Sequence, residues 1–126
     1  KALDPANPDA MVGAGAAAEG LEDWTRAAAE YEAAVSLNPD HEAAYVGLGM
    51  SRIRSGDASK AIEIWRRGAE RLPRSFDLHF NLAVALGHAG RRDEGIAEID
   101  RALALRPDDP EALKIQGWLN GLPGEN

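Results

Sequence analysis

Ser36-Leu37-Asn38-Pro39 returns as Ala104-Leu105-Arg106-Pro107, and Arg71-Leu72-Pro73 stands midway between them as a shifted variant. The same ending opens the chain as Ala2-Leu3-Asp4-Pro5, so prolines occupy positions 5, 39, 73 and 107, at intervals of 34 residues. A fixed period of that length marks a helical repeat array, in which each unit buries its apolar face only against its neighbours. Such an array offers surface rather than chemistry, and the kind of function it points to is docking to another polypeptide. Residue 1 already falls inside the pattern, so residues 1–7 read as the tail of a repeat whose body lies upstream. At the other end Gly121-Leu122-Pro123-Gly124 breaks the last helix with no further period begun, and the array is expected to terminate there.

Helical signals recur in register within each period. Asn7-Pro8, Asp40, Ser75 and Asp109-Pro110 read as N-caps, twice with proline at the first helical position, where its missing N–H is not needed. Breaks follow at Gly20-Leu21-Glu22-Asp23, Ser55-Gly56-Asp57 and Ala89-Gly90-Arg91. After them apolar residues return at helical spacing through Ala27, Tyr31 and Ala34, through Ala61, Trp65 and Gly68, and through Ile99 and Ala102. Each period is therefore a helical hairpin. Helices are expected near residues 8–20, 23–37, 41–54, 57–71, 76–88, 91–105 and 110–121. The expected fold is all-α, a right-handed superhelical solenoid in one domain, with repeats at 8–41, 42–75 and 76–109 and a capping helix at 110–121.

Composition closes several doors. At 126 residues, 44% hydrophobic and 28% charged, the chain can bury one core. Its longest weakly polar stretch, Met11 to Ala18, is mostly Ala and Gly, and no apolar run reaches membrane-spanning length. Cysteine is absent, which leaves neither disulfides nor thiolate metal sites. A net charge of −7 argues against nucleic acid, because phosphate binding needs clustered Lys and Arg. The charge is uneven: residues 8–41 hold seven acids against one base, residues 42–75 four against seven, and residues 76–109 seven against four. The simplest reading is that a basic middle period balances its acidic neighbours. The preference for Arg over Lys and the abundance of Ala suggest a GC-rich bacterial coding sequence.

The residues in register now carry a resemblance. The middle period reads Tyr45, Leu48-Gly49, Ala61, Trp65, Pro73; the first reads Met11, Ala14-Gly15, Ala27, Tyr31, Pro39; the third reads His79, Leu82-Ala83, Gly95, Ile99, Pro107. This resembles the tetratricopeptide repeat, a 34-residue helix-turn-helix unit with a large residue, Leu-Gly, an aromatic, and later Ala, an aromatic and Pro. The likeness covers residues 1 to about 120. It implies that Gly15, Gly49, Ala83 and Gly117 mark where the first helix presses on its partner, with Ala27, Ala61 and Gly95 answering from the second. The pattern's first-helix aromatic is replaced by Ala18, Arg52 and Leu86. Arg52 is expected to lay its stem on the core and reach an acidic neighbour.

Motifs for chemistry find structural explanations. Gly13-Ala14-Gly15-Ala16-Ala17-Ala18 fits a dinucleotide fingerprint on paper, but no strand precedes it, and Gly15 belongs with Gly49 in the packing ladder. His41, His79 and His88 share no ligand spacing and read as a cap neighbour, a packed residue and a surface residue. The acid pairs Asp93-Glu94 and Asp108-Asp109 sit at helix starts, where the macrodipole favours negative charge. No serine elbow, phosphate loop or metalloprotease helix is present. Neither catalysis nor a cofactor or metal is expected.

The resemblance implies a concave groove lined by the first helices of successive repeats. Here that lining would be Val12, Ala16, Val46, Met50, Ile53, Phe80, Asn81 and Val84, with Arg54 and His88 at the rim and Trp118 added by the last helix. So apolar a lining suits an apolar or amphipathic peptide or helix; the alternative is that these residues pack on one another or on an upstream repeat. Relatives that grip chaperone tails use a lysine, asparagine and arginine clamp, which would fall at Val12, Ala16, Gly47, Asp77 and Asn81, where only Asn81 fits. The asparagine ladder of glycosyltransferase-associated arrays is also missing, at Gly13, Gly47 and Ile115. Two functions follow: an adaptor that captures a protein or peptide partner, or a structural or self-assembling segment attached to a larger enzyme or membrane-associated protein. An adaptor piece should be a monomer, and an assembly piece a homo-oligomer.

Overall fold

A computed structural model describes residues 7–124 as seven helices: α1 (Pro8–Gly20), α2 (Trp24–Leu37), α3 (Glu42–Arg54), α4 (Ala58–Arg71), α5 (Phe76–His88), α6 (Arg92–Leu105) and α7 (Pro110–Asn120). Residues 1–6 of the opening tail lie outside the described residues. Each helix packs most closely on its chain neighbours, and the odd-numbered helices also touch one another, α1 on α3, α3 on α5 and α5 on α7. The result is a right-handed superhelical solenoid of three hairpins with α7 over the end of the third.

The caps explain the helix starts. Asn7 accepts from the Asp9 N–H at 2.8 Å, Ser75 from Leu78 at 3.1 Å and Asp109 from Ala112 at 3.0 Å. Asp23 and Asp57 cap α2 and α4 in the same way, each at 3.1 Å. The exception to the expected set is α3. His41, not Asp40, is its cap, through a long 3.4 Å bond from the Ala44 N–H to Nδ1, while Asp40 is drawn off to Arg71 at 2.6 Å. The charge-assisted pair across two hairpins outcompetes a local cap that histidine can supply.

The turns inside the hairpins place one residue each in the left-handed region, at Glu22 (φ 58°), Gly56 (φ 87°) and Gly90 (φ 78°), again 34 residues apart. The first hairpin thus puts glutamate where the others put glycine, whereas Gly20, the apparent breaker, is still helical. A side chain at positive φ costs about 1–2 kcal/mol, against a smaller entropic cost for glycine in the unfolded chain. Glu22→Gly is expected to raise stability by about 0.5–1 kcal/mol in urea unfolding; a loss would show that the Glu22 side chain holds the turn.

Packing follows the period. Tyr31, Trp65 and Ile99 are buried in successive hairpins, as are Ala44, Leu78 and Ala112 one period apart. A Cβ on Gly15 would lie 2.9 Å from the Tyr31 ring, and one on Gly49 only 2.1 Å from Trp65. Trp65 is further fixed by its indole N–H, which donates to the Tyr45 carbonyl at 3.1 Å. Gly117, expected in the same ladder, meets nothing within 4 Å, because no described helix follows α7 to press on it. Arg52 also departs from expectation: its Nε is buried with no hydrogen-bond partner, and among the described residues it forms no ion pair.

Ion pairs answer part of the uneven charge. Arg66 of the basic middle period reaches Glu94 at 3.0 Å and Arg71 reaches Asp40 at 2.6 Å, one pair to each acidic neighbour. Glu94 also accepts from Arg91 at 2.7 Å, and that hydrogen bond, with help from Arg66 and against the effect of burial, holds its carboxyl below the usual range. These groups are substantially exposed, so the pairs orient hairpins more than they stabilise them.

Candidate functional site

A concavity on the inner face is built around a ring from the outer layer. Tyr31, on α2, points its phenol between α1 and α3, where the absence of side chains on Gly15 and Gly47 leaves room; a Cβ on Gly47 would lie 2.4 Å from the ring. The hydroxyl passes through to donate to Glu19 Oε2 at 2.5 Å. Burial, reinforced by the hydrogen bond to Glu19 and its charge, pushes the phenol well above its ordinary pKa. Tyr31 therefore remains a donor, and Glu19 is held as an acceptor at the lip of the cleft.

Around that point α1 and α3 enclose an open cleft of about 700 Å³. Val12 and Ala16 line it from α1 and Val46 and Met50 from α3. Glu42 and Asp77 come from the first turns of α3 and α5, and Glu19 from the last turn of α1. Glu42 is oriented by the Ser75 hydroxyl, which donates to it while capping α5. Trp24 and Arg54 close the remaining side, the guanidinium 5.9 Å from the indole centroid. The arrangement is an apolar floor with a mostly acidic rim.

Of the residues expected on the groove, Val12, Ala16, Val46, Met50 and Arg54 come together here. The others do not line this cleft. Ile53 packs on the first core cluster, as Val12, Val46 and Met50 also do, but it does not line the cleft. Phe80 stacks on Phe76 with centroids 5.7 Å apart and, like Trp118, packs on the second cluster. Asn81 and Val84 are half-buried on α5. His88 is exposed, its ring tilted against Trp118 at 4.8 Å. Trp118 itself occupies the space beside Gly87, where a Cβ would meet it at 2.5 Å. Sequence reasoning missed Glu19, Trp24, Tyr31, Glu42 and Asp77. Asp77 had shown only as a wrong charge for a chaperone-tail clamp and Tyr31 only as the second-helix aromatic of its period, and nothing local marks the other three.

The remaining polar clusters have structural work. His79 is buried, with Nδ1 2.7 Å from Glu98 and Nε2 2.8 Å from the Pro73 carbonyl, and Arg101 reaches the other Glu98 oxygen at 2.6 Å. This pins α6 to α5 and to the turn after α4, beside an outer cleft of about 530 Å³ that also includes Arg66 and Leu105. His41, besides capping α3, meets Asp9 at 2.7 Å. The glycine-rich run at 13–18 lies within α1, with Gly15 taken up by the Tyr31 ring. Among the described residues no group of three or more His, Asp or Glu is placed to hold a metal ion, and no helix is long and apolar enough to cross a membrane.

Comparison with known proteins gives a family and a fold. The tetratricopeptide repeat model matches residues 2–42, 12–67, 46–110 and 80–119. A curated relative, the peroxisomal targeting signal receptor of Eremothecium gossypii, is 28% identical over 125 residues; these cover 99% of this chain but only 22% of the receptor. The Arabidopsis OM64 TPR domain superposes with a TM-score of 0.80 at 19% identity, over 90% of this chain and 93% of that one. MamA gives a TM-score of 0.81 at 19% identity, over 92% of this chain and 68% of its own. The Yersinia enterocolitica type III secretion chaperone SycD, solved with a peptide of the translocator YopD, gives 0.78 at 18%, over 89% and 91%.

Proposed function

This chain belongs to the tetratricopeptide repeat family, and from that premise we propose that it is a non-catalytic interaction module holding a peptide or helix of a partner protein in the cleft between α1 and α3. One observation carries the reading: Val12, Val46 and Met50 pack on the first core cluster yet stay only partly buried, on a concave face that the described residues leave open. A pocket with an apolar floor and a few convergent polar groups is the usual form of a recognition site. The similarity to SycD, whose structure contains a peptide, supports the class of function.

Met50→Asp tests it. Met50 is half-buried at the cleft, so a carboxylate there should leave helicity intact while weakening partner binding at least tenfold, the scale of losing an apolar anchor. The measurement is pull-down or titration with the partner, alongside circular dichroism and size exclusion. Unchanged binding by a folded Met50→Asp would place the working surface elsewhere. The second reading, self-assembly, is favoured by α7, where Leu113 is 45% exposed and Gly117 faces open space. Elution of the isolated chain as a dimer or larger would support that reading instead.

A further inference from the structure

Resting on the cleft reading above, we infer that its occupant is a cationic amphipathic segment of a partner protein. An apolar side chain would seat on Val12, Val46 and Met50, and Lys or Arg side chains would face Glu42 and Asp77 at one end and Glu19 at the other.

The argument is one of complementarity. Two acids that bridge neighbouring hairpins are answered by cations from within the fold: Asp40 by Arg71 and Glu94 by Arg66. The three that line the cleft are not. Glu42 and Glu19 take neutral hydroxyls from Ser75 and Tyr31, and among the described residues none of the three meets a cationic side chain within ion-pair distance. Arg54, the cation of the lining, lies over the Trp24 ring and forms no ion pair there. Helix electrostatics explain only part of this: Glu42 and Asp77 sit in first turns, where the dipole favours acids, but Glu19 sits in a last turn, where it does not. Hydroxyls that hold both glutamates as acceptors leave the cleft preset for donors, and the partly desolvated floor strengthens attraction to a cation. An anionic peptide would meet three carboxylates and one guanidinium, and it would be repelled.

The probes are two 12-residue synthetic peptides of alternating leucine with either lysine or glutamate, titrated by fluorescence anisotropy at low and moderate salt. The leucine–lysine peptide should bind at least tenfold more tightly than the leucine–glutamate peptide, and more weakly as salt rises. The double variant Glu42→Gln with Asp77→Asn keeps shape and hydrogen-bonding capacity, and it should lose tenfold or more for the lysine peptide while staying folded, with a melting temperature lower by only a few degrees from the lost helix-dipole contacts. If the glutamate peptide binds as well as the lysine one and Met50→Asp abolishes both, the cationic assignment is wrong and the cleft reading stands. If the lysine peptide binds but ignores Met50→Asp, the cleft reading itself fails. Binding of neither peptide overturns both.

Discussion

Gly49→Leu should unfold near 10 °C below the parent chain, a loss of about 3 kcal/mol at the upper end of overpacking effects. Even a Cβ at this position would lie 2.1 Å from Trp65 Cε2 and Nε1, and that ring is 2% exposed with its N–H committed to the Tyr45 carbonyl. The ring cannot yield without giving up both its packing and its hydrogen bond. The informative control is Gly117→Ala. The two glycines are equivalent in the 34-residue register, yet Gly117 is exposed with nothing within 4 Å. There the substitution should gain up to about 0.5–1 kcal/mol through helix propensity alone. Two glycines of one register should thus respond with opposite signs in thermal unfolding. Equal losses at both would mean that α7 is covered as α3 is.

Glu98→Ala should cost about 3 kcal/mol, where the penalties for a stranded buried hydrogen-bonding group and for a broken buried pair overlap. The substitution leaves the buried Nδ1 of His79 without its hydrogen-bond partner and frees Arg101. Arg101→Ala is the comparison, since its side chain is 59% exposed and the loss should stay below about 1 kcal/mol. Urea unfolding of both variants separates them. Similar losses would mean that the surface pair, not the histidine, pins α6.

The α7 face and the cleft show how far a register argument reaches. Positions 31, 65 and 99 read as equivalent core sites, and all three are buried. Their surroundings differ, because a tyrosine needs two glycines, Gly15 and Gly47, to pass between α1 and α3, while the position after Gly47 in the ladder is Asn81. Phe80, expected beside Met50 on one stripe, stacks on Phe76 and is not among the residues lining the cleft with Met50. The apolar side chains of the inner helices were therefore legible as a set, but not which of them face a cleft and which complete a core.

The sequence alone determined the seven helices, their order and their ends to within one residue, because caps and breakers act through residues within a turn or two of each other and the 34-residue period repeats them in register. It also determined the hairpin architecture, since a short connection leaves successive helices few other ways to pack. Only the tertiary structure decided that Glu19, Glu42 and Asp77 converge on one apolar cleft, that His41 rather than Asp40 caps α3, and that Gly117 is open. Those outcomes turn on contacts between residues 12 to 33 positions apart, such as Tyr31 with Glu19, Arg71 with Asp40 and Ser75 with Glu42. There the size of one ring or the reach of one ion pair selects among positions that a periodic pattern treats as the same.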